Sequence, residues 1–381
     1  MKVAVTTLAF CVTTLLALGL VMLYSAKMTS SAGVHGLMMQ SVWCALGLLA
    51  CGVLAFLDYQ WLKKFAWPIF IGAIVLAALV FVPHLGKSMY GASRWIHLGS
   101  LTFQPSECVK LALIVMLAAY GDHSQRKMGG FKRGIIFPGI IVAAGLGLVF
   151  IEPDRGTTIL MCAVCGMMLL VAGVRLPHLA IPALAAAGAL AVSILHDPMR
   201  MNRIAAWLHP QDHLQGAAHQ AQQAMIAIGS GGVTGLGLGN GLQKMGYVPF
   251  IESDFIFANI GEELGLIATL FVVVAFLLIA ICGVFIALNA REQFGCLLAT
   301  GIAFLISLQA ALNIGVVTSV LPNKGIALPF ISSGGSNMLA MLSCIGILFS
   351  IARHAPVREK AVTKKSEAGG HGDNPFAARA T

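Results

Sequence analysis

Ten apolar runs, each close to the length of a membrane-crossing helix, constrain this chain more than any other feature. They cover residues 3–24, 37–57, 65–82, 105–120, 135–151, 157–174, 177–195, 260–288, 297–320 and 336–352. Crossing a hydrocarbon core as a helix takes about 20 such residues, because backbone groups find no water there and must pair within the segment. A soluble chain of 381 residues would carry charge on about a quarter of its positions. Here 58% of residues are hydrophobic and 10% charged, and mean hydropathy is +0.87. The expectation is an all-α polytopic membrane protein with about ten transmembrane helices within residues 1–354. One long extracytoplasmic loop, 196–255, joins helices 7 and 8, and a disordered cytoplasmic tail covers 355–381.

The first run has one Lys and no small-residue cleavage site, so it reads as a retained helix and not a signal peptide. The fourth carries Glu107 and Lys110, which are costly against lipid, so it is expected to pack among other helices. The connections on the N-terminal side, together with the tail, hold most of the 24 Lys and Arg. That bias places both termini in the cytoplasm and accounts for the net charge of +9. No basic patch interleaved with aromatics accompanies it, so nucleic acid is not an expected partner. The nine Cys, including the Cys162–Cys165 pair, lie in or at the ends of apolar runs and read as packing residues.

Four of the 15 acids, Glu252, Asp254, Glu262 and Glu263, crowd the edge of one apolar run. Upstream, Ala217, Ala221, Ala224 and Ile228 fall on helical spacing, which suggests a short amphipathic helix at the membrane surface. The glycine run 229–241 lacks the strand–helix frame of a dinucleotide loop. It reads as a pliable, closely packed loop whose amides can approach a phosphate. Three further connections on the same face carry polar residues. GASRWIHLGSLTFQPSECVK holds Arg94, Trp95, Gln104, Ser106, Glu107 and Lys110; the last two, three apart, can pair to fix packing or to meet a substrate. EPDRGTT holds Glu152, Asp154 and Arg155, whose acids either cap the next helix or face a site. VLPNKGIALPFISSGGSN holds Lys324, Ser332 and Ser336. Glu262 and Glu263 serve equally as helix-dipole partners or as site residues.

FQPSECVK, EPDRGTT, GLGLGNGLQKMGYVPFIESDFIFANIGEELG and LPNKGIALPFISSGGSN, in this order between about residues 90 and 352, resemble the hallmark segments of one family. This is the shape, elongation, division and sporulation (SEDS, FtsW/RodA-like) family. Lys324 in PNKG and Gly261 in GEELG resemble its division branch more than its elongation branch. Two motifs depart from the family pattern: Ser333 replaces a common Tyr, and Glu252-Ser253 precede Asp254 where His-Thr is commoner.

The resemblance implies a peptidoglycan glycosyltransferase that polymerises lipid II at the outer face of the bacterial cytoplasmic membrane, at the division septum. Implied partners are lipid II, a class B penicillin-binding protein, other division proteins and membrane lipids; the implied cofactor is a divalent cation, Mg or Mn. Asp254 corresponds to the family's essential acid and is implied to be the general base. Arg94, Gln104, Ser106, Glu107, Lys110, Asp154, Lys244, Lys324, Ser332 and Ser336 are the substrate-binding candidates, with Glu262 and Glu263 in support. Joining a sugar hydroxyl to an anomeric carbon while a lipid pyrophosphate leaves needs a base and cations, which suits an inverting transfer. A lipid II flippase and a non-catalytic division scaffold are the competing readings. A flippase would hold its polar site near the midplane between repeats, whereas these acids gather on one face.

Overall fold

The computed structural model describes residues 1–27, 33–82, 86–89, 92–98, 101–152, 154–213, 218–245 and 252–356. The expected tail lies almost wholly outside them. In chain order the helices are α1 (Lys2–Lys27), α2 (Gly33–Phe56), α3 (Gln60–Lys64) and α4 (Ala66–Ala78). A small antiparallel sheet follows, β1 (Gly86–Met89), β2 (Ala92–Leu98) and β3 (Leu101–Phe103). Then come α5 (Pro105–His123), α6 (Phe137–Ile151), α7 (Arg155–Val171), α8 (Leu176–Leu195), α9 (Pro198–Leu208) and α10 (His219–Gly231). The chain continues through α11 (Ile256–Leu288), α12 (Gln293–Val317) and α13 (Gly335–Arg353).

Each of the ten apolar runs coincides with a helix: α1, α2, α4 to α8, and α11 to α13. Among the described residues, seven stretches are long and apolar enough to cross a membrane, those of α1, α2, α6 with the π turn before it, α8, α11, α12 and α13. The segments Ala66–Phe81 and Arg155–Val171 are shorter and apolar. This is a polytopic helical membrane fold.

α5 sits where its charges require. It packs against α4, α12, α6, α7 and α13, and Glu107 and Lys110 are both buried. α13 lies along α2, and α11 along α12, α10 and α1. Outward-facing Leu266, Ile267, Leu270, Leu277, Ile281 and Leu288 make α11 apolar on the side that meets no protein, a surface that lipid would satisfy. α8 differs from its neighbours: none of its residues is buried, and it touches chiefly α9 and the turn before α6.

The structure corrects four expectations. The described residues within 196–255 are not simply a loop but include α9 and α10. Asp197 caps α9 by accepting from the amides of Met199 (3.1 Å) and Arg200 (3.4 Å), with Pro198 at the first helical position. The expected amphipathic helix exists as α10, but its small residues Ala224, Ala227 and Gly231 are buried against α11. Residues 86–89, 92–98 and 101–103 pair as strands, with Ile96 opposite Phe103 and Gly86 opposite Ile96. Finally, α11 starts at Ile256, ahead of the expected 260, and breaks at Gly265, whose φ is 75°.

Candidate active site

The polar connections meet at one end of the bundle, where α5, α7, α11 and α13 begin and α6, α8 and α12 end. Asp254 lies just before α11. Its backbone is fixed by a residue buried in an apolar helix: Asn313 of α12 donates to the carbonyls of Asp254 (2.8 Å) and Ile326 (2.6 Å). The Ser332 hydroxyl donates to the Ser253 carbonyl and accepts from the Leu328 amide at 2.7 Å. The Ser333 amide donates to the Glu252 carbonyl at 2.9 Å. The connection between α12 and α13 is thus laced onto residues 252–254. Gly325 lies beneath the Asp254 carboxylate, where a Cβ would sit 2.6 Å from Oδ2; any side chain there would have to displace the acid.

Asp154 and Lys324 share this space. A Cβ on Gly156 would meet Lys324 Cε at 3.2 Å and Asp154 Oδ1 at 3.5 Å. Asp154 does cap α7, accepting from the Thr157 amide (3.2 Å) and hydroxyl (3.0 Å). Lys324 is half-buried, and among the described residues its ammonium makes no hydrogen bond or ion pair. Burial pulls its pKa down to about 8, with Asp154 opposing and Arg200, Arg155 and Arg203 assisting. Asp254 reaches the surface with part of its side chain, but protein crowds its carboxyl group. That desolvation, with a smaller push from Asp154, raises its pKa to about 6 against the bond from Ser253.

Glu152 is fully buried and, among the described residues, neither of its carboxyl oxygens has a hydrogen-bond partner. Burial and the Asp154 charge raise it to about 7, which the nearby Arg94 opposes; the Arg94 Nε donates to the Glu152 carbonyl at 2.9 Å.

A second cluster underpins the same connection. Lys110 Nζ lies 2.7 Å from Glu107 Oε2 and donates to Gln309 Oε1 at 3.2 Å. Gln309 in turn donates to the Ala327 carbonyl (2.9 Å) and Asn337 Oδ1 (3.1 Å). The pair Glu107–Lys110 therefore joins α5 to α12 and α13 within the protein. Ser336 accepts from the Gln104 amide at 2.9 Å, and Ser106 is buried with a hydroxyl that finds no partner among the described residues.

A family described as "cell cycle protein", of the FtsW, RodA and SpoVE type, matches residues 6–356. The chain belongs to this family. It is 38% identical over 339 residues to a protein of Geobacter sp. (strain M18) named "Probable peptidoglycan glycosyltransferase FtsW", covering 88% of this chain and 92% of the relative. The fold is similar, at TM-score 0.75 and 27% identity, to a chain in a peptidoglycan synthase complex that coordinates polymerization and crosslinking. That likeness covers 91% of this chain and 96% of the other. RodA of Thermus thermophilus superposes with TM-score 0.66 and 27% identity, covering 91% and 95%.

Within this family fold, Lys244, Glu262 and Glu263 stand apart from Asp254. The Lys244 ammonium lies 2.7 Å from Glu263 Oε1 and donates to Ser25 Oγ (2.9 Å) and the Gly239 carbonyl (2.7 Å). Ser25 of α1 donates in turn to Glu263. Glu263 also accepts from the Gly239 amide at 2.9 Å, and Glu262 from the amides of Leu242 (2.8 Å) and Gln243 (3.2 Å). The loop amides expected to approach a phosphate thus hold the chain's own carboxylates. Glu262 and Glu263 lie beyond the first turn of α11, so helix-dipole pairing at its N-terminus does not describe them.

The glycine run also heals the break in α11. Amides of Leu236 and Gly237 donate to the carbonyls of Glu262 (3.0 Å) and Glu263 (2.9 Å), while those of Leu266 and Ile267 donate to Gly232 (3.0 Å) and Val233 (3.4 Å). Backbones approach so closely that a Cβ on Gly231 would lie 1.9 Å from the Gly261 oxygen, and one on Gly235 2.2 Å from the Glu263 oxygen.

Sequence reasoning missed Asn313, Gln309 and Ser25. The first two carry a readable signal: amide side chains four apart in an apolar run share one helix face, and such residues are expensive in a membrane without partners. Ser25 carries none.

Proposed function

We propose that this family member is a peptidoglycan glycosyltransferase that polymerises lipid II, with Asp254 as general base. The observation that carries the reading is that Asp254, a carboxylate of raised basicity, and Lys324, a half-buried cation with no hydrogen bond or ion pair among the described residues, both lie close to Asp154 at one end of the bundle, with Gly325 against the Asp254 carboxylate. A base with pKa near 6 is ionised at neutral pH yet holds a proton better than an ordinary carboxylate. Asp254 takes the proton from the acceptor sugar hydroxyl as that oxygen bonds to the donor's anomeric carbon. The bond from that carbon to the diphosphate oxygen breaks with inversion, its electron pair leaves with the diphosphate, and Asp254 then releases the proton to water. Lys324 opposes the charge that grows on the leaving group. The names of the relatives and the synthase complex among the structural neighbours support this chemistry.

Among the described residues no three metal-ligating side chains gather, so a wholly protein-made cage is absent. Asp154 and Asp254 together fit the mode in which one or two carboxylates hold Mg²⁺ alongside substrate phosphates. A divalent ion so held would supply further positive charge to the departing diphosphate.

The remaining polar candidates act around this pair: Gln104, Ser332 and Ser336 shape the connections that border it, and Glu107–Lys110 braces them. A class B penicillin-binding protein is the proposed partner, the division septum the proposed location, and a cytoplasmic position the proposed one for both termini, which the Lys and Arg bias supports. The polar groups sit at one end of the bundle, not at its midplane, which disfavours a flippase. Glycan synthesis from labelled lipid II by wild type and its loss in Asp254→Asn support the reading. Headgroup translocation in vesicles at the wild-type rate by Asp254→Asn, with polymer formed by neither, would replace it with the flippase.

A further inference from the structure

Among the described residues only two non-glycine residues have left-handed backbone, Ser319 (φ 58°) and Phe330 (φ 66°). Both lie in one connection, residues 318–334 between α12 and α13. Ser319 closes α12 at a position usually left to glycine. Phe330 is bulky and buried, so its conformation is strained, and such strain persists only where surrounding contacts outweigh it. Here the contacts come from several helices. Trp207 Nε1 of α9 donates to the Ser319 carbonyl at 3.0 Å, and Asn323 Nδ2 donates to Gln220 Oε1 of α10 at 2.8 Å. Helix α1 comes so close that a Cβ on Gly19 would lie 3.0 Å from the Phe330 oxygen. The connection is a strap held in a conformation it would not adopt alone.

At its middle the strap meets the acid. Gly325 is exposed and its backbone lies outside the left-handed region. Apart from its chain neighbours, the three atoms nearest a Cβ built there all belong to the Asp254 carboxyl: Oδ2 at 2.6 Å, Cγ at 3.4 Å and Oδ1 at 3.9 Å. Glycine is therefore needed at 325 for space and not for backbone freedom. The following residue shares a donor with the acid, since Asn313 bonds the carbonyls of Ile326 and Asp254 alike. Asp254 is thus held twice, its main chain through Asn313 and its carboxyl against the bare face of Gly325.

We propose that Gly325 is the positioning residue of Asp254, and that the strained strap exists to hold it against the carboxyl. This assignment rests on the reading of Asp254 as general base and adds what sets the direction of that base. Ordinary contact for a methyl group begins at 3.4 Å, so with alanine at 325 the Asp254 Oδ2 would retreat by about 0.8 Å. A misplacement near 1 Å costs a positioned catalytic group about a hundredfold in rate. Because a general base acts on the reacting proton and not on the bound ground state, the loss belongs in kcat.

The test is steady-state glycan synthesis from labelled lipid II by the full-length chain with a class B penicillin-binding protein, for wild type, Gly325→Ala, Val320→Ala and Asp254→Asn, with Tm recorded for each. Gly325→Ala should lower kcat by about a hundredfold and leave KM within about twofold. Its Tm should stay within about 2 °C of wild type, because the new methyl meets only the end of one side chain. Val320 is an exposed residue of the same strap, so Val320→Ala should keep the wild-type kcat and show that the strap tolerates change away from position 325. A kcat for Gly325→Ala within about threefold of wild type would overturn the proposal. So would a loss carried by KM, which would make Gly325 a substrate contact, or by Tm, which would make it a folding position. Asp254→Asn separates this claim from the one beneath it. If Asp254→Asn is inactive and Gly325→Ala fully active, the base stands and the positioning role fails. If Asp254→Asn is as active as wild type, the base itself is lost.

Discussion

Lys244→Met distinguishes a structural from a substrate-binding role for this lysine. Its ammonium is buried 2.7 Å from Glu263 and donates to Ser25 and to the Gly239 carbonyl. Removing it leaves Glu263 as an anion in a dry pocket, held by the Ser25 hydroxyl and the Gly239 amide alone. Breaking a buried pair from one side costs about 3–5 kcal/mol. A chain of this length loses about 2 °C of Tm per kcal/mol, so thermal unfolding in detergent, followed by intrinsic fluorescence, should shift down by roughly 6–10 °C. The double variant Lys244→Met/Glu263→Gln removes both charges and should recover at least half of that loss. A Tm within about 1 °C of wild type for Lys244→Met would refute the argument, as would a double variant worse than the single. Unchanged Tm with lost lipid II binding would return Lys244 to the substrate-binding set.

Three other expectations follow from the same geometry. Glycan synthesis should rise with pH as Asp254 ionises near 6 and fall as Lys324 loses its proton near 8; Lys324→Gln should lower the rate and remove the alkaline fall, and a rate independent of pH from 5 to 9 would count against both roles. Gly265→Ala should destabilise by about 2 kcal/mol or more, because φ of 75° is strained for Ala and its Cβ would meet the Gly235 nitrogen at 2.4 Å; a Tm equal to wild type would show the break is not needed. The raised pKa of Asp254 means its ionised form opposes folding, a cost absent below its ordinary value of 3.8 and complete above about 6. Asp254→Asn should therefore match or exceed wild-type Tm at pH 7.5 and show no gain at pH 4, measured by the same unfolding assay.

The helical framework was legible because membrane helices satisfy their backbones locally, so each apolar run marks one element. The polar ends were legible as a set, since charges are rare in such a chain and these fall in separate connections. Other features depended on contacts between distant segments. The break at Gly265 is stabilised by carbonyls and amides some thirty residues earlier, and nothing within GEELGLIA marks it. The glycine run looked like a phosphate loop because amides that hold a phosphate and amides that hold a glutamate have the same sequence requirement. Lys244 looked available because its partners, Ser25 and Glu263, come from two different helices.

The central claim is that Asp254 is the base of a glycan polymerase. A gel assay of labelled lipid II tests it most directly, using the purified chain with a class B penicillin-binding protein and divalent cation, for wild type and Asp254→Asn at matched folding and lipid II binding. A ladder of glycan strands from wild type and none from Asp254→Asn is the expected result. Equal ladders from both would contradict the role of Asp254, and no ladder from either folded, lipid-bound complex would contradict the polymerase itself.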